Sequence, residues 1–223
     1  MSVSPDSTFA KRLRGFGPIG LVAIIIVLAG SFFVTLLGAV LVLVWVWSSD
    51  TPWREMGFVR PKSWVRTVII GVVFGVAFKL VMKAIVMPLL GGPAINPAYH
   101  YLAGNSAALP GMLFTVIVAA GFGEEVLFRS YTFERLGKLL GPSPWSKGLI
   151  IIFTSVLFGL AHYSEQGVAG AEQAVMTGLT FGTIFAVTGS IFLPMIIHAA
   201  FDLAAVAIIY WDVESAFAHF FFN

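Results

Sequence analysis

From Gly15 to Ser49 the chain runs for 35 residues without one charged side chain. A membrane span needs about 20 apolar residues to cross about 30 Å of hydrocarbon, so this run is long for one helix and short for two. It is also too long for the apolar region of a signal peptide, and is expected to remain in the mature protein. The rest of the chain is of the same kind. Hydrophobic residues make up 58% and charged residues 11%, against about 25% charged in soluble domains. Mean hydropathy is +0.93. An ordinary soluble domain and a disordered chain are both excluded. The 223 residues suit one all-α domain, a polytopic bundle of about six to seven spanning helices.

Further apolar segments follow at 65–90, 109–136, 148–162, 172–187 and 191–210. Pro88, Gly91, Gly92, Pro93 and Pro97 end the first of these, and Gly141, Pro142 and Pro144 end the second. Residues 1–108 read as N-terminal spans, 109–210 as a functional core and 211–223 as a short aromatic tail at the interface. Gly178 and Gly182, with Ala174 and Ala186, read as a small-residue helix contact. Ser155 and Ser164 read as packing or turn residues.

Loop charge sets orientation. Arg54, Arg60, Lys62 and Arg66 place the 48–66 loop in the cytoplasm, and Arg135, Lys138 and Lys147 do the same for 130–147. The 91–108 and 163–171 loops carry no Lys or Arg and are expected outside. Lys11, Arg12 and Arg14 also favour the cytoplasm. All of these demands are met when residues 18–47 form a hairpin rather than one span.

Ionisable groups inside a span cost about 2.5–3.5 kcal/mol each on insertion scales, and so mark function. Glu124, Glu125 and Arg129 fall in the third segment, His162 ends the fourth, and His198 and Asp202 fall in the last. One buried His or Glu is more often structural; six such groups on three helices point to a site. Lys79 and Lys83 are set apart, as snorkelling or packing residues. At about 100° per residue, positions four apart share a helix face and neighbours do not. Glu125 therefore pairs with Arg129, in a geometry suited to a bidentate guanidinium, while Glu124 points elsewhere and is the reactive carboxylate. Phe158 and His162 share a face. So do His198 and Asp202, and Asp202 is placed to accept from one nitrogen of His198 and orient the other.

Several chemistries lack their residues. There is no cysteine, hence no thiol nucleophile, thiolate metal site or disulfide. No H-E-x-x-H, G-x-S-x-G or Walker A motif occurs. A formal charge of +2 on so apolar a chain does not suggest nucleic acid. A carboxylate and two imidazoles in an apolar bundle suit hydrolysis: the carboxylate takes a proton from water, the hydroxide attacks a carbonyl, and donors stabilise the oxyanion. Spacing alone leaves a second use open, with Glu124, His162 and His198 as zinc ligands.

Three stretches now carry a resemblance. Glu124-Glu125-Val126-Leu127-Phe128-Arg129 reads E-E-x-x-x-R, Phe158 to His162 reads F-x-x-x-H, and His198 to Asp202 reads H-x-x-x-D. In this order and spacing, over residues 109–210, they resemble the three motifs of the CPBP family, the CAAX proteases and bacteriocin-processing enzymes that include the type II CAAX prenyl endopeptidases. The family is viewed as intramembrane glutamic proteases, though members have been labelled metalloproteases. The resemblance implies Glu124 as general base, His162 as its helper, His198 and Asp202 as the oxyanion site, and Glu125 and Arg129 as residues that hold the geometry. Two positions depart from the usual pattern: Asp202, where Asn is common, and Ser130, where Gly is common. An ionised Asp cannot donate to an oxyanion; it must be protonated or act by orienting His198.

The expected function is an intramembrane endopeptidase that cuts a peptide or a membrane-anchored protein. It is expected to be a multi-pass protein of a prokaryotic cell membrane, in contact with lipid, with no nucleic-acid partner and no cofactor unless zinc is used. The alternatives are a non-proteolytic binding or immunity scaffold of the same fold, a zinc-dependent protease, and a proton-coupled transporter with Glu124 as carrier.

Overall fold

The computed structural model describes residues 5–222, with side chains from Thr8 onward. All regular structure in it is helical. A short basic helix α1 (Pro5–Arg14) leads through a 57° bend into α2 (Pro18–Phe33), and α3 (Thr35–Ser48) follows after one extended residue, Val34. Helices α4 (Trp64–Leu89), α5 (Leu109–Leu140), α6 (Pro144–Thr188) and α7 (Phe192–Tyr210) are each long and apolar enough to cross a membrane. A last short helix, α8 (Glu214–Ala218), folds back on the bundle.

The uncharged opening run is a hairpin, as loop charge required. Gly30 lies against Leu37 and Leu41 and Gly38 against Ser31, so α2 and α3 run antiparallel. A Cβ on Gly38 would sit 1.9 Å from Ser31 Oγ, so only glycine lets the arms close this tightly. The reversal is a single break at Val34, where φ −149° and ψ 116° interrupt the helix.

The α6 helix folds on itself in the same manner. Gly167, at φ 65° and ψ −161°, breaks it into arms 144–166 and 168–188. The positive φ is open to glycine without a Cβ penalty. Gly159 meets Val175, Gly178 meets Ser155 and Gly182 faces Ile151, so the arms are antiparallel. The expected small-residue contact at Gly178 and Gly182 is therefore made within α6, with Ser155 as its other half. Ser143 caps the first arm by accepting from the Ser146 amide, with Pro144 in the first turn.

The span count is lower than the expected six to seven. Among the described residues four helices meet the length and composition of a span, with the folded α6 taken as one, or five if bent α1–α2 is one. The difference has two sources. The expected spans 148–162 and 172–187 are the two arms of the one α6. The arms of the first hairpin hold 16 and 14 residues, about 24 and 21 Å at 1.5 Å per residue, short of the hydrocarbon thickness.

Packing is inverted relative to a soluble protein. Phe32 (87% exposed) and Val65 (70%) stand outside with many other large apolar side chains, while Glu125, Arg129 and His198 are buried. One apolar cluster joins Val27, Val42, Trp45 and Met56 to Val126 and Tyr131; a second joins Met82, Phe181, Ile197 and Phe201. The polar site lies among these helices.

Candidate active site

Helix α5 supplies Glu124, Glu125 and Arg129. Its backbone is π-helical over Thr115–Glu124 and Val126–Tyr131, with i→i+5 bonding. Such turns are rare in helices and gather at functional sites. Arg129 Nη1 donates to Glu125 Oε1 at 2.8 Å, so the expected pair forms, with the guanidinium 1% and the carboxylate 0% exposed. It is not bidentate. Glu125 Oε1 also faces His198 Nδ1 at 2.8 Å, while Glu125 Oε2 and Arg129 Nε have no hydrogen-bond partner. The guanidinium lies instead between aromatic rings, 4.6 Å from the Phe158 centroid and 5.5 Å from that of Phe181.

The α7 helix supplies His198, the centre of the site. Its Nδ1 is held by Glu125, and its Nε2 faces Asp202 Oδ2 at 3.4 Å and Glu124 Oε2 at 3.7 Å. Asp202 faces one nitrogen of His198, Nε2, and shares that side with Glu124, while the other nitrogen is taken by Glu125. One expectation changes here: Glu124 and Glu125 do not diverge; they converge on opposite edges of one imidazole. The ring spans the gap between two neighbouring side chains, which the face rule for a single helix does not consider. Glu124 remains apart from Arg129, is 16% exposed, and its Oε2 makes no hydrogen bond within the protein.

The first arm of α6 supplies Phe158 and His162. His162 Nδ1 donates to the Phe158 carbonyl at 2.8 Å, and the two rings meet edge to face at 4.5 Å. The carbonyl can only accept, so Nδ1 carries a proton and Nε2 of the neutral ring is left as an acceptor. His162 lies within electrostatic reach of Glu124. Phe158 is buried, and its ring also packs on Phe128 at 5.1 Å and His198 at 6.0 Å. Ser130 has a plain role: its hydroxyl donates to the Met56 carbonyl at 2.5 Å, tying α5 to the loop before α4.

Three residues near this site were given no part in it by the sequence, and of them only Tyr99 carried no signal. Tyr99, in the loop between α4 and α5, reaches the end of the first arm of α6, where its hydroxyl accepts from Gln166 at 3.2 Å. Burial, reinforced by Glu165, holds its phenol above the usual range, so it stays protonated. Lys79 and Lys83 do not snorkel. Both are buried: Lys79 donates to Gln173 at 3.1 Å, and Lys83 to the Ala94 carbonyl at 2.6 Å and Glu214 at 3.1 Å. The rule that marks intramembrane charges as functional applied to them as much as to Glu124.

Among the described residues, no three His, Cys, Asp or Glu side chains are grouped so as to hold a metal ion.

Over residues 106–204 the chain matches the family model of the type II CAAX prenyl endopeptidase Rce1-like proteins. The matched segment contains Glu124, Glu125, Arg129, Phe158, His162, His198 and Asp202, and it agrees with the family read from the three motifs. No curated protein and no solved structure matches the chain.

Proposed function

We propose, from the match of residues 106–204 to the family model of the Rce1-like proteins, that the chain is an intramembrane endopeptidase of glutamate type. The observation that carries the reading is the arrangement around His198: Nδ1 is anchored on Glu125, and Nε2 is turned toward Glu124 and Asp202. Glu124 has an unpaired carboxylate oxygen on the same side. Water bound there gives a proton to Glu124, with His162 Nε2 accepting its second hydrogen bond. The hydroxide attacks the scissile carbonyl. His198, donating from Nε2, stabilises the oxyanion. Asp202 accepts from that Nε2–H before substrate arrives and yields it to the oxyanion, and so need not donate itself. Glu124 then delivers its proton to the leaving amine.

The magnitudes are adequate. General-base help is worth about 10²–10⁴-fold and one oxyanion donor about 10²–10³. The substrate is a peptide or a membrane-associated protein presented from the lipid. The test uses protein purified in detergent and a broad peptide library, prenylated and not, read by mass spectrometry. Glu124→Gln and His162→Ala are expected to lower cleavage by about 10²-fold or more while the protein stays folded. Cleavage is expected to survive a strong chelator. Loss with chelator and restoration by zinc overturns the glutamate mechanism. No cleavage by folded wild type across the library favours a binding or immunity role.

A further inference from the structure

Lys79 is a buried cation without a part in the proposed chemistry. It is 8% exposed and lies on α4, outside the matched segment 106–204. Helices α4 and α7 pack in parallel: Gly71 meets Ile196 and Ile197, and Gly75 meets Ile197, Ala200 and Phe201. One turn beyond Gly75, the Lys79 ammonium lies 4.9 Å from the centre of the Phe201 ring, and Phe201 precedes Asp202 in the chain. The ammonium also donates to Gln173 Oε1 at 3.1 Å.

A buried ammonium needs a counter-charge. Two carboxylates lie within its electrostatic reach, Asp202 and Glu214. Glu214 is already engaged: Oε1 accepts from Lys83 Nζ at 3.1 Å and from the Asn96 amide at 3.0 Å, and His100 Nδ1 lies 3.6 Å from Oε2. Asp202 faces only His198 Nε2, at 3.4 Å, among the described residues. No carboxylate among them touches Lys79, so its charge acts on Asp202 across space.

The site itself is short of positive charge. Glu124, Glu125 and Asp202 stand around His198, and the one permanent cation among them, Arg129, is paired with Glu125. The proposed reaction sharpens the shortage. Asp202 gives up the Nε2–H of His198 when the oxyanion forms, and two negative charges then face one imidazole. A cation behind the carboxylate offsets that repulsion without touching the substrate. We propose that Lys79 is the counter-charge of Asp202, a positioning residue that balances this carboxylate while His198 donates to the oxyanion. The role in turnover rests on the peptidase reading; the charge pairing does not.

The test compares wild type, Lys79→Met, Asp202→Asn and the double variant, with Lys79→Gln as a second neutral change and Lys79→Arg as the conservative one. The Asp202→Asn change keeps an acceptor for His198 and removes the charge. Each protein is followed by thermal melting in detergent and by cleavage of a peptide that wild type cuts. Asp202→Asn strands the buried ammonium and is expected to melt several degrees below wild type; adding Lys79→Met restores most of that loss. Lys79→Met alone is expected to lower kcat by about 10-fold or more with KM little changed, and to cost less than about 3-fold when added to Asp202→Asn. Lys79→Arg keeps most of kcat. Costs that simply add in melting overturn the pairing. Costs that add in cleavage, or a loss confined to KM, overturn the positioning role. If folded wild type cuts nothing, the peptidase reading falls and takes the role in turnover with it, and melting alone decides the pair: recovery in the double variant supports it, and additive losses remove it.

Discussion

Replacing Arg129 with Met keeps most of the side-chain volume between Phe158 and Phe181 but takes the guanidinium from Glu125, leaving His198 Nδ1 as its one side-chain partner. The carboxylate is 0% exposed and loses the donor at 2.8 Å. Its other oxygen, Oε2, already lacks a partner. Removing one member of a buried ion pair costs about 3–5 kcal/mol, whereas replacing both by neutral groups of similar shape is near neutral. Arg129→Met is therefore expected to lose about 3–5 kcal/mol. Adding Glu125→Gln removes the stranded charge but leaves an acceptor for His198 Nδ1, and is expected to recover at least about 2 kcal/mol of that loss. The assay is equilibrium unfolding in mixed micelles by titration with a denaturing detergent, followed by tryptophan fluorescence, for wild type, both single variants and the double. An Arg129→Met protein within about 1 kcal/mol of wild type, or single costs that simply add in the double, refutes the reasoning.

Other expectations test separate parts of the structure. The chain has no cysteine, so Ser155→Cys/Gly178→Cys is expected to form an intramolecular disulfide that links the α6 arms, seen as a mobility shift reversed by reductant; free thiols after oxidation contradict the antiparallel arms. Asp202→Asn keeps an oxygen to accept from His198 and is expected to cleave within about tenfold of wild type, while Asp202→Leu loses about 10²-fold in kcat/KM; equal rates for the two show that Asp202 has no part in the reaction. Lys83→Met leaves Glu214 buried beside only weaker partners. It is expected to free the segment after Trp211 for limited proteolysis, measured by the mass of the trimmed product.

Much of the fold is legible because lipid exposure leaves a coarse signature. Long apolar runs gave α4, α5 and α7, and loop charge alone required the hairpin at residues 18–47. Glycine spacing exposed the contact that folds α6. The site is legible wherever its geometry lies within one helix: Glu125 with Arg129, Phe158 with His162, His198 with Asp202. It is not legible between helices. Nothing in the spacing of α5 says that Glu125 reaches across to His198 Nδ1, or that Glu124 meets the other edge of the same ring. The π-helical stretch is equally silent, since no residue type encodes i→i+5 bonding. The burial of Lys79 is not legible either, because a long amine near a helix end is usually free to reach water, and burial by Gln173, Phe201 and the 91–108 loop depends on chain folded from elsewhere.

Glu125 Oε1 receives both Arg129 Nη1 and His198 Nδ1, each at 2.8 Å. A single oxygen atom thus belongs at once to the fold's buried ion pair and to the imidazole on which the proposed chemistry turns. Substitutions there alter stability and turnover together, and neither can be adjusted alone. Divergence toward new substrates has little freedom at this centre. It has more in the 91–108 loop and the C-terminal segment, where a changed side chain does not disturb the atom that both functions share.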